Sequence, residues 1–305
     1  MEEKVQLAIE KGAAFLKRYG RAVEQALFAY FYEDGSRQSV LDALAAYQNG
    51  DGGFGHAFEP DMRSPDSSAL ATTEALAWIW QIQVEASHPM VEAAVKYLVN
   101  TYIAEEKSWL FIPESSQNYP HAPWWQFNPS AAATKHNPRP QILGIFLRAE
   151  EQVPVELLQT LQQDVVTAFL EHINKMQMHD VFNYLRLYRT PNLPEEIRQP
   201  LAQYLPEIVE RAVAMDEDAW SGYALRPYGV LDHLDDEFYP LVAEALPASL
   251  MYLVHEQCED GSWPLTWNWG EKFPTVWPIA EKEWKSIVTL DNIRFLQSLG
   301  AVVSS

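Results

Sequence analysis

The feature of this sequence that most constrains its fold is a seven-residue segment that occurs twice. The first copy runs from Gln48 to Phe54 and the second from Gln257 to Trp263, and both follow the pattern Gln-x-x-Asp-Gly-x-aromatic. Each copy comes directly after a stretch with the apolar periodicity of a helix. Because similar segments at distant positions are typical of folds built from repeated units, we predict one architecture of repeated helical units.

The residue types in the segment suit the end of a helix. Glycine can adopt the positive φ that ends a helix, and the aspartate before it can bond to the backbone of the turn. We expect the glutamine amide to bond to free backbone groups at a helix end and the aromatic ring to pack on a neighbouring helix. Two unrelated helix-end turns are the alternative interpretation, since Asp-Gly is common in turns.

Both segments resemble the Gln-x-x-x-Gly-x-Trp motif of the terpenoid cyclase and protein prenyltransferase superfamily. Trp263 completes the motif, and Phe54 places a different aromatic residue at that position. Residues 55–72 and 220–232 look like a bacterial branch of the same superfamily. The resemblance implies an α/α toroid, in which helical hairpins form a ring with inner and outer helix layers around a central cavity.

Helical periodicity continues along the rest of the chain, with no clear strand and no linker. We therefore predict about eleven helices in a single all-α domain over residues 1–305, and the resemblance implies that this domain is a toroid. Three irregular segments rich in aromatic residues interrupt the helices: about 105–137, 219–229 and the stretch after Trp263. Loops of this length in a compact domain are often functional.

Composition excludes several classes of partner. The formal net charge of −20 would repel nucleic acid and anionic membrane surfaces. The single cysteine excludes an internal disulfide, and the amino terminus lacks the pattern of a secretory signal. No uncharged apolar run approaches the roughly 20 residues that span a bilayer. We expect a soluble, cytoplasmic protein with no integral membrane association and no nucleic-acid partner.

The strongest candidate for a functional site is the loop that contains His56, Glu59, Asp61, Arg63 and Asp66. Burying several carboxylates around one arginine separates their pKa values, which is how acid and base roles become distinct. We take the three acidic residues as candidate catalytic groups and the other two as candidate ligand-binding groups. The alternative is that the carboxylates only cap the helix that follows.

A second set of candidates comes from the irregular segments, where we expect Trp124, Trp125, Tyr223, Arg226 and Trp267 to line a cavity. Aromatic faces can stabilise a cation or stack on the apolar face of a sugar ring. An arginine beside them would bind an acidic or phosphorylated ligand. The alternative is that the aromatic side chains plug the mouth of the toroid.

The reactions of the related families are not expected here. Class II terpene cyclases use Asp-x-Asp-Asp-Thr-Ala, and Asp66 matches the middle, proton-donating aspartate, but serines replace the acids around it. Prenyltransferases hold zinc with an Asp-x-Cys pair, and Cys258 has no aspartate two residues before it. His121, His136 and His179 have no partner at ligand spacing, so we interpret them as loop or packing residues. No cofactor is expected.

The sequence therefore predicts a protein that binds a small molecule in a central aromatic-lined cavity. The family resemblance favours an isoprenoid-like ligand and leaves open whether the protein is an enzyme. One alternative is a carbohydrate-active glycosidase or lyase that uses Asp61 and Asp66 as its acid pair. Another is a non-enzymatic binding protein.

Overall fold

All regular secondary structure in the computed structural model is helical within the residues that it describes, 2–128 and 135–303. This confirms the prediction of an all-α protein. The α-helices of this part of the chain are α1 (Glu2–Tyr19), α2 (Ala22–Tyr32), α3 (Arg37–Ala45), α4 (Ala69–Gln81), α5 (Pro89–Asn100), α6 (Arg139–Arg148), α7 (Val155–His172), α8 (Met178–Tyr188), α9 (Glu195–Ala212), α10 (Glu217–Trp220), α11 (Tyr239–Val242), α12 (Leu246–His255) and α13 (Trp277–Leu299).

Eleven of these helices correspond to the predicted ones, and the short helices α10 and α11 are additional. Short 3₁₀ turns occupy parts of the connections. Among the residues with described placement, no helix combines the length and the apolar character needed to cross a membrane.

The helices group into two compact units. Unit 1 contains the chain up to Val40 together with the chain from Val209 onward, and unit 2 runs from Leu41 to Ile208. Unit 1 is thus made from two separate stretches of sequence, whereas unit 2 is continuous.

In unit 1, α1 packs against α13, α2 and α12. The face of α1 that is buried is the apolar stripe that the periodicity predicts, namely Val5, Ala8, Ile9, Gly12, Phe15 and Leu16. In unit 2, α6 packs against α4, α7 and α8, and α4 also packs against α5. Helix α6 is buried from Arg139 to Phe146, so it is the central element of this unit.

The two repeated turns have the same hydrogen bonds. In each, the glutamine amide donates to the carbonyl of the motif glycine at 2.9 Å. The same amide also donates to a neighbouring helix: Gln48 bonds to the Met90 carbonyl in α5 at 3.0 Å, and Gln257 bonds to the Ala8 carbonyl in α1 at 2.8 Å. Each glutamine therefore connects the turn at the end of one helix to another helix of its own unit. The bond inside the turn fits the prediction, whereas the bond to a second helix was not predicted.

The motif glycines are required by both conformation and space. Their φ angles are +91° at Gly52 and +89° at Gly261. A Cβ atom on Gly52 would lie 2.2 Å from the Ala93 carbonyl oxygen, and one on Gly261 would lie 2.3 Å from the Lys11 carbonyl oxygen. Because each turn lies directly against helix backbone, no residue with a side chain fits without movement.

The motif aspartate and aromatic residue also behave alike in the two copies. Asp51 accepts a hydrogen bond from the backbone two residues later at 3.0 Å, and Asp260 does the same at 2.9 Å. Phe54 and Trp263 are both buried. The Trp263 indole donates to the Leu253 carbonyl at 2.8 Å, which satisfies its buried N–H group.

A third turn of similar shape, which the sequence pattern does not show, leads to Trp109. Lys107 takes the place of the motif glycine, with φ of +49°, and its backbone N–H donates to the Ala104 carbonyl at 3.3 Å. Trp109 is buried and its indole donates to the Leu98 carbonyl at 2.6 Å, as Trp263 does to Leu253. The third turn lacks the glutamine and the glycine, so only its shape reveals it.

Candidate functional site

The acidic loop of unit 2 pairs with the segment that precedes the tryptophans. The Arg63 backbone N–H donates to the Pro120 carbonyl at 3.0 Å, and the Ala122 N–H donates to the Asp61 carbonyl at 2.8 Å. Trp124 and Trp125 follow this short antiparallel contact directly. The structure thus brings the predicted acidic loop and the predicted tryptophan pair together.

The two tryptophans differ in their surroundings. Trp125 stacks on Phe111, with ring centroids 4.8 Å apart and an interplanar angle of 29°, and it packs against an apolar cluster that includes Met62 and Leu70. Trp124 is 46% exposed. Trp125 therefore contributes to packing, whereas Trp124 is accessible.

Hydrogen bonds fix the polar side chains of the acidic loop to their surroundings. Asp66 is exposed, and its Oδ2 accepts from the Ser115 hydroxyl at 2.6 Å. The exposed His56 ring lies 2.8 Å from the Asn49 side-chain oxygen. Asp66 does not cap α4, because Ser68 accepts the capping hydrogen bond from the Ala71 N–H at 3.1 Å.

The remaining acidic-loop candidates are less exposed. Asp61 is buried, and Glu59 and Arg63 are partly buried. The Arg63 guanidinium donates to the Pro60 carbonyl at 3.4 Å. Burial, together with the charges of Asp51 and Asp66, raises the pKa of Tyr97 above its ordinary value, so this phenol stays neutral beside the loop.

In unit 1, Arg226 belongs to a polar cluster that holds the backbone of its segment. Its guanidinium forms an ion pair with Glu256, donates to the Tyr228 hydroxyl at 3.0 Å and donates to the Trp220 carbonyl at 2.6 Å. Burial lowers the pKa of Arg226 more than any other single cause, but the hydrogen bonds and charges of Glu256 and Tyr228 together outweigh burial and raise it. These contacts give Arg226 a structural role.

Trp267 lines a pocket of about 440 Å³ that lies within unit 1. Trp267 is the predicted candidate that lines this pocket; a second candidate, Tyr223, does not line it, but its ring meets the Trp267 ring edge-on at a centroid distance of 5.8 Å. Further lining residues come from the second motif turn, the loop after it and the start of α13: Cys258, Pro264, Leu265, Asn268, Gly270, Trp277, Glu281 and Lys285.

Aromatic contacts hold the pocket walls in place. Besides Tyr223, Trp284 meets the Trp267 ring edge-on, at 5.2 Å and 87°. Trp277 packs against the buried Trp269 at a centroid distance of 5.7 Å. The indole N–H of Trp267 is buried and has no hydrogen-bond partner among the described residues, which is unusual for a tryptophan in a protein interior.

The polar side of the pocket comes from α13 and from the loop before it. Glu281 and Lys285 form an ion pair at 3.0 Å, with 37% and 26% of their side chains exposed. Asn268 uses its side-chain oxygen to accept a hydrogen bond from the Gly270 N–H at 2.8 Å. Cys258 is partly exposed at the edge of the motif turn.

Sequence reasoning missed Cys258, Trp277, Glu281 and Lys285 as site residues. The last three are spaced four residues apart, which places them on one face of a helix. The sequence does not reveal this face, because Trp277 belongs to the aromatic-rich stretch after Trp263 that we predict to be irregular, whereas α13 begins at Trp277. Pro278 fits the first turn of a helix and does not prevent the earlier start.

The scattered histidines make packing and loop contacts. His136 stacks on His172 at 4.0 Å and lies 3.1 Å from the Tyr184 hydroxyl. Burial and the neighbouring His172 lower the pKa of His136 to about 4, and burial lowers that of His179. Within 2–128 and 135–303, no group of three or more His, Cys, Asp or Glu side chains is arranged to hold a metal ion.

No protein-family model matches the chain, and no curated protein matches it significantly. A function must therefore be inferred from the geometry of the chain's own residues.

Proposed function

We propose that this protein binds a small molecule in the pocket walled by Trp267 and Trp277. The pocket volume of about 440 Å³ lies within the range of about 300–1,000 Å³ that is usual for small-molecule sites. Flat aromatic walls with a few polar groups on one side are the common form of such sites. This combination of walls and volume is the observation that carries the proposal.

We also propose that the helical hairpins are arranged as a single α/α toroid domain, as the family resemblance implies. The support is that one turn geometry occurs three times, before Phe54, Trp263 and Trp109. In the first two turns a glutamine also bonds to a second helix, and the third turn has no such contact. A fold of this kind does not determine a reaction, so the proposal is limited to binding.

The single cysteine of the chain provides a direct test, because Cys258 lines the pocket and is partly exposed. An occupant of the pocket would shield its thiol from a reagent such as 5,5′-dithiobis(2-nitrobenzoate). The rate of modification is measured with D-glucose, D-galactose, cellobiose, maltose or farnesol present at increasing concentrations. We expect at least one compound to slow the reaction several-fold in a saturable manner.

Matched variants locate the effect. Trp277→Ala should abolish protection, whereas Trp80→Ala in α4 of unit 2 should retain it, since Trp80 is a partly exposed tryptophan that does not line the pocket. Circular dichroism confirms that both variants are folded. A different result would place the site in the acidic loop. In that case a compound binds, as measured by calorimetry, but does not slow thiol modification, and Trp124→Ala or Asp66→Asn abolishes the binding. That combination would show the proposal to be wrong.

A further inference from the structure

We infer that the ligand of the pocket is a neutral polyhydroxyl ring, that is, a monosaccharide or disaccharide without a charged substituent. This inference rests on the proposed function and specifies its ligand class. It follows from three properties of the pocket: its flat walls, its balanced charge and its pairing of a hydrogen-bond acceptor with a donor.

The walls suit a ring with one apolar face. Trp267 and Trp277 both line the pocket, and each is held by another aromatic residue, at 5.2 Å from Trp284 and 5.7 Å from Trp269. Walls fixed in this way lose little conformational entropy when a ligand binds. The C–H face of a pyranose can therefore stack on an indole that is already in position.

The charged groups in the pocket cancel. Glu281 and Lys285 form an ion pair at 3.0 Å and are the acidic and basic residues that line it. A phosphorylated or carboxylated ligand would meet a lysine that already has its counterion, in a chain with a net charge of −20. A quaternary ammonium ligand would meet a carboxylate that is likewise neutralised. A neutral ligand keeps this ion pair intact.

The same pair fits hydroxyl groups chemically. An ionised carboxylate only accepts hydrogen bonds, an ammonium only donates them, and a hydroxyl does both. Adjacent hydroxyls of a sugar could thus bond to Glu281 and Lys285 together.

An isoprenoid chain fits this polar side less well. It would cover the Glu281 carboxylate, the Lys285 ammonium and the Asn268 side chain without offering them hydrogen bonds. Removing these groups from water without replacing the hydrogen bonds that water gave them is costly. A site of this composition therefore discriminates against a purely apolar ligand, as sites built to bond hydroxyls generally do.

The test compares binding of neutral sugars, D-glucose 6-phosphate and farnesol, by calorimetry and by protection of Cys258 from thiol modification. We expect a neutral mono- or disaccharide of the panel to bind and to protect the thiol. The phosphorylated sugar should bind at least 10-fold more weakly than glucose. Glu281→Gln keeps the size of the side chain and changes only its hydrogen bonding and charge, so it should fold normally and weaken sugar binding at least 10-fold.

The outcomes separate this inference from the proposed function. If farnesol protects Cys258 and no neutral sugar does, the pocket binds a small molecule but the sugar inference is overturned. A phosphorylated sugar that binds more tightly than its neutral parent also overturns it. If no compound of either class protects the thiol, both the inference and the proposed function fail.

Discussion

Replacing the glycine of the second motif turn should be among the most damaging small substitutions in unit 1. In Gly261→Ala the added methyl group meets two obstacles. The residue has φ of +89°, and the new Cβ would lie 2.3 Å from the Lys11 carbonyl oxygen and 2.7 Å from the carbonyl carbon. Backbone, rather than a flexible side chain, forms the obstacle, so α1 or the turn must move.

The two costs can be separated by comparison with Gly270→Ala. Gly270 also has a positive φ, of +60°, but its Cβ would have open space around it. Conformational strain alone costs about 1–2 kcal/mol. Displacing packed backbone adds about 1–3 kcal/mol. We therefore expect a loss in the free energy of unfolding of about 2–5 kcal/mol for Gly261→Ala and of about 1–2 kcal/mol for Gly270→Ala.

The measurement is urea-induced unfolding followed by circular dichroism at 222 nm. Gly50→Ala is the control within a motif turn, because Gly50 has neither a positive φ nor a close neighbour. It should leave the stability unchanged or raise it by about 0.4–1 kcal/mol. If Gly261→Ala and Gly270→Ala lose the same stability within about 0.5 kcal/mol, the close approach of the turn to α1 has no energetic consequence and the reasoning is refuted.

Four further predictions concern other parts of the chain. Trp263→Ala should lower the free energy of unfolding by about 3–5 kcal/mol, and a loss below about 1 kcal/mol in the same urea assay would contradict its role as a buried anchor. Arg226→Met should cost about 3 kcal/mol because it leaves the Glu256 carboxylate without its cation, and Glu256→Gln in the Arg226→Met background should recover part of that loss. The folded protein keeps His136 neutral, because its pKa is near 4 against an ordinary value near 6.5. The contribution of His136 to stability is therefore complete above about pH 6.5 and falls as the pH drops from there toward 4. Replacing His136 with Gln should flatten the stability–pH curve between pH 7 and 5, and an unchanged curve would show that the histidine is not coupled to folding. Elemental analysis should find no stoichiometric zinc, and one zinc per chain that disappears in Cys258→Ser would overturn this expectation.

The fold class was predictable because the apolar periodicity of the local sequence indicates most of the helices. The buried stripe of α1 coincides with the apolar periodicity, and the motif turns behave as their residue types suggest. The turn before Trp109 was not predictable, because Lys107 adopts a backbone conformation that usually requires glycine. Local sequence gives no sign of such a residue when the surrounding packing enforces its conformation.

The candidate site was predictable only in part. Trp267 was identified because a tryptophan in an irregular, aromatic-rich segment stands out, and Tyr223 does contact it. Glu281 and Lys285 carry no such signal, since an acid–base pair four residues apart on a helix is usually a solvent-exposed pair. Arg226 was expected to face a ligand, and its ion pair with Glu256 depends on a residue 30 positions away that periodicity cannot locate.

Unit 1 is built from two separate stretches of the chain, and this affects how it can fold during synthesis on the ribosome. Helix α1 ends at Tyr19, but its partner α13 begins only at Trp277, and all of unit 2 is made between them. At translation rates of about 5–20 residues per second, on the order of tens of seconds pass between the synthesis of α1 and the synthesis of α13. Unit 2 can fold during that interval, whereas the apolar face of α1 that ends in Phe15 and Leu16 stays without α13 to cover it. Chaperones that bind nascent chains would therefore bind this apolar face of α1.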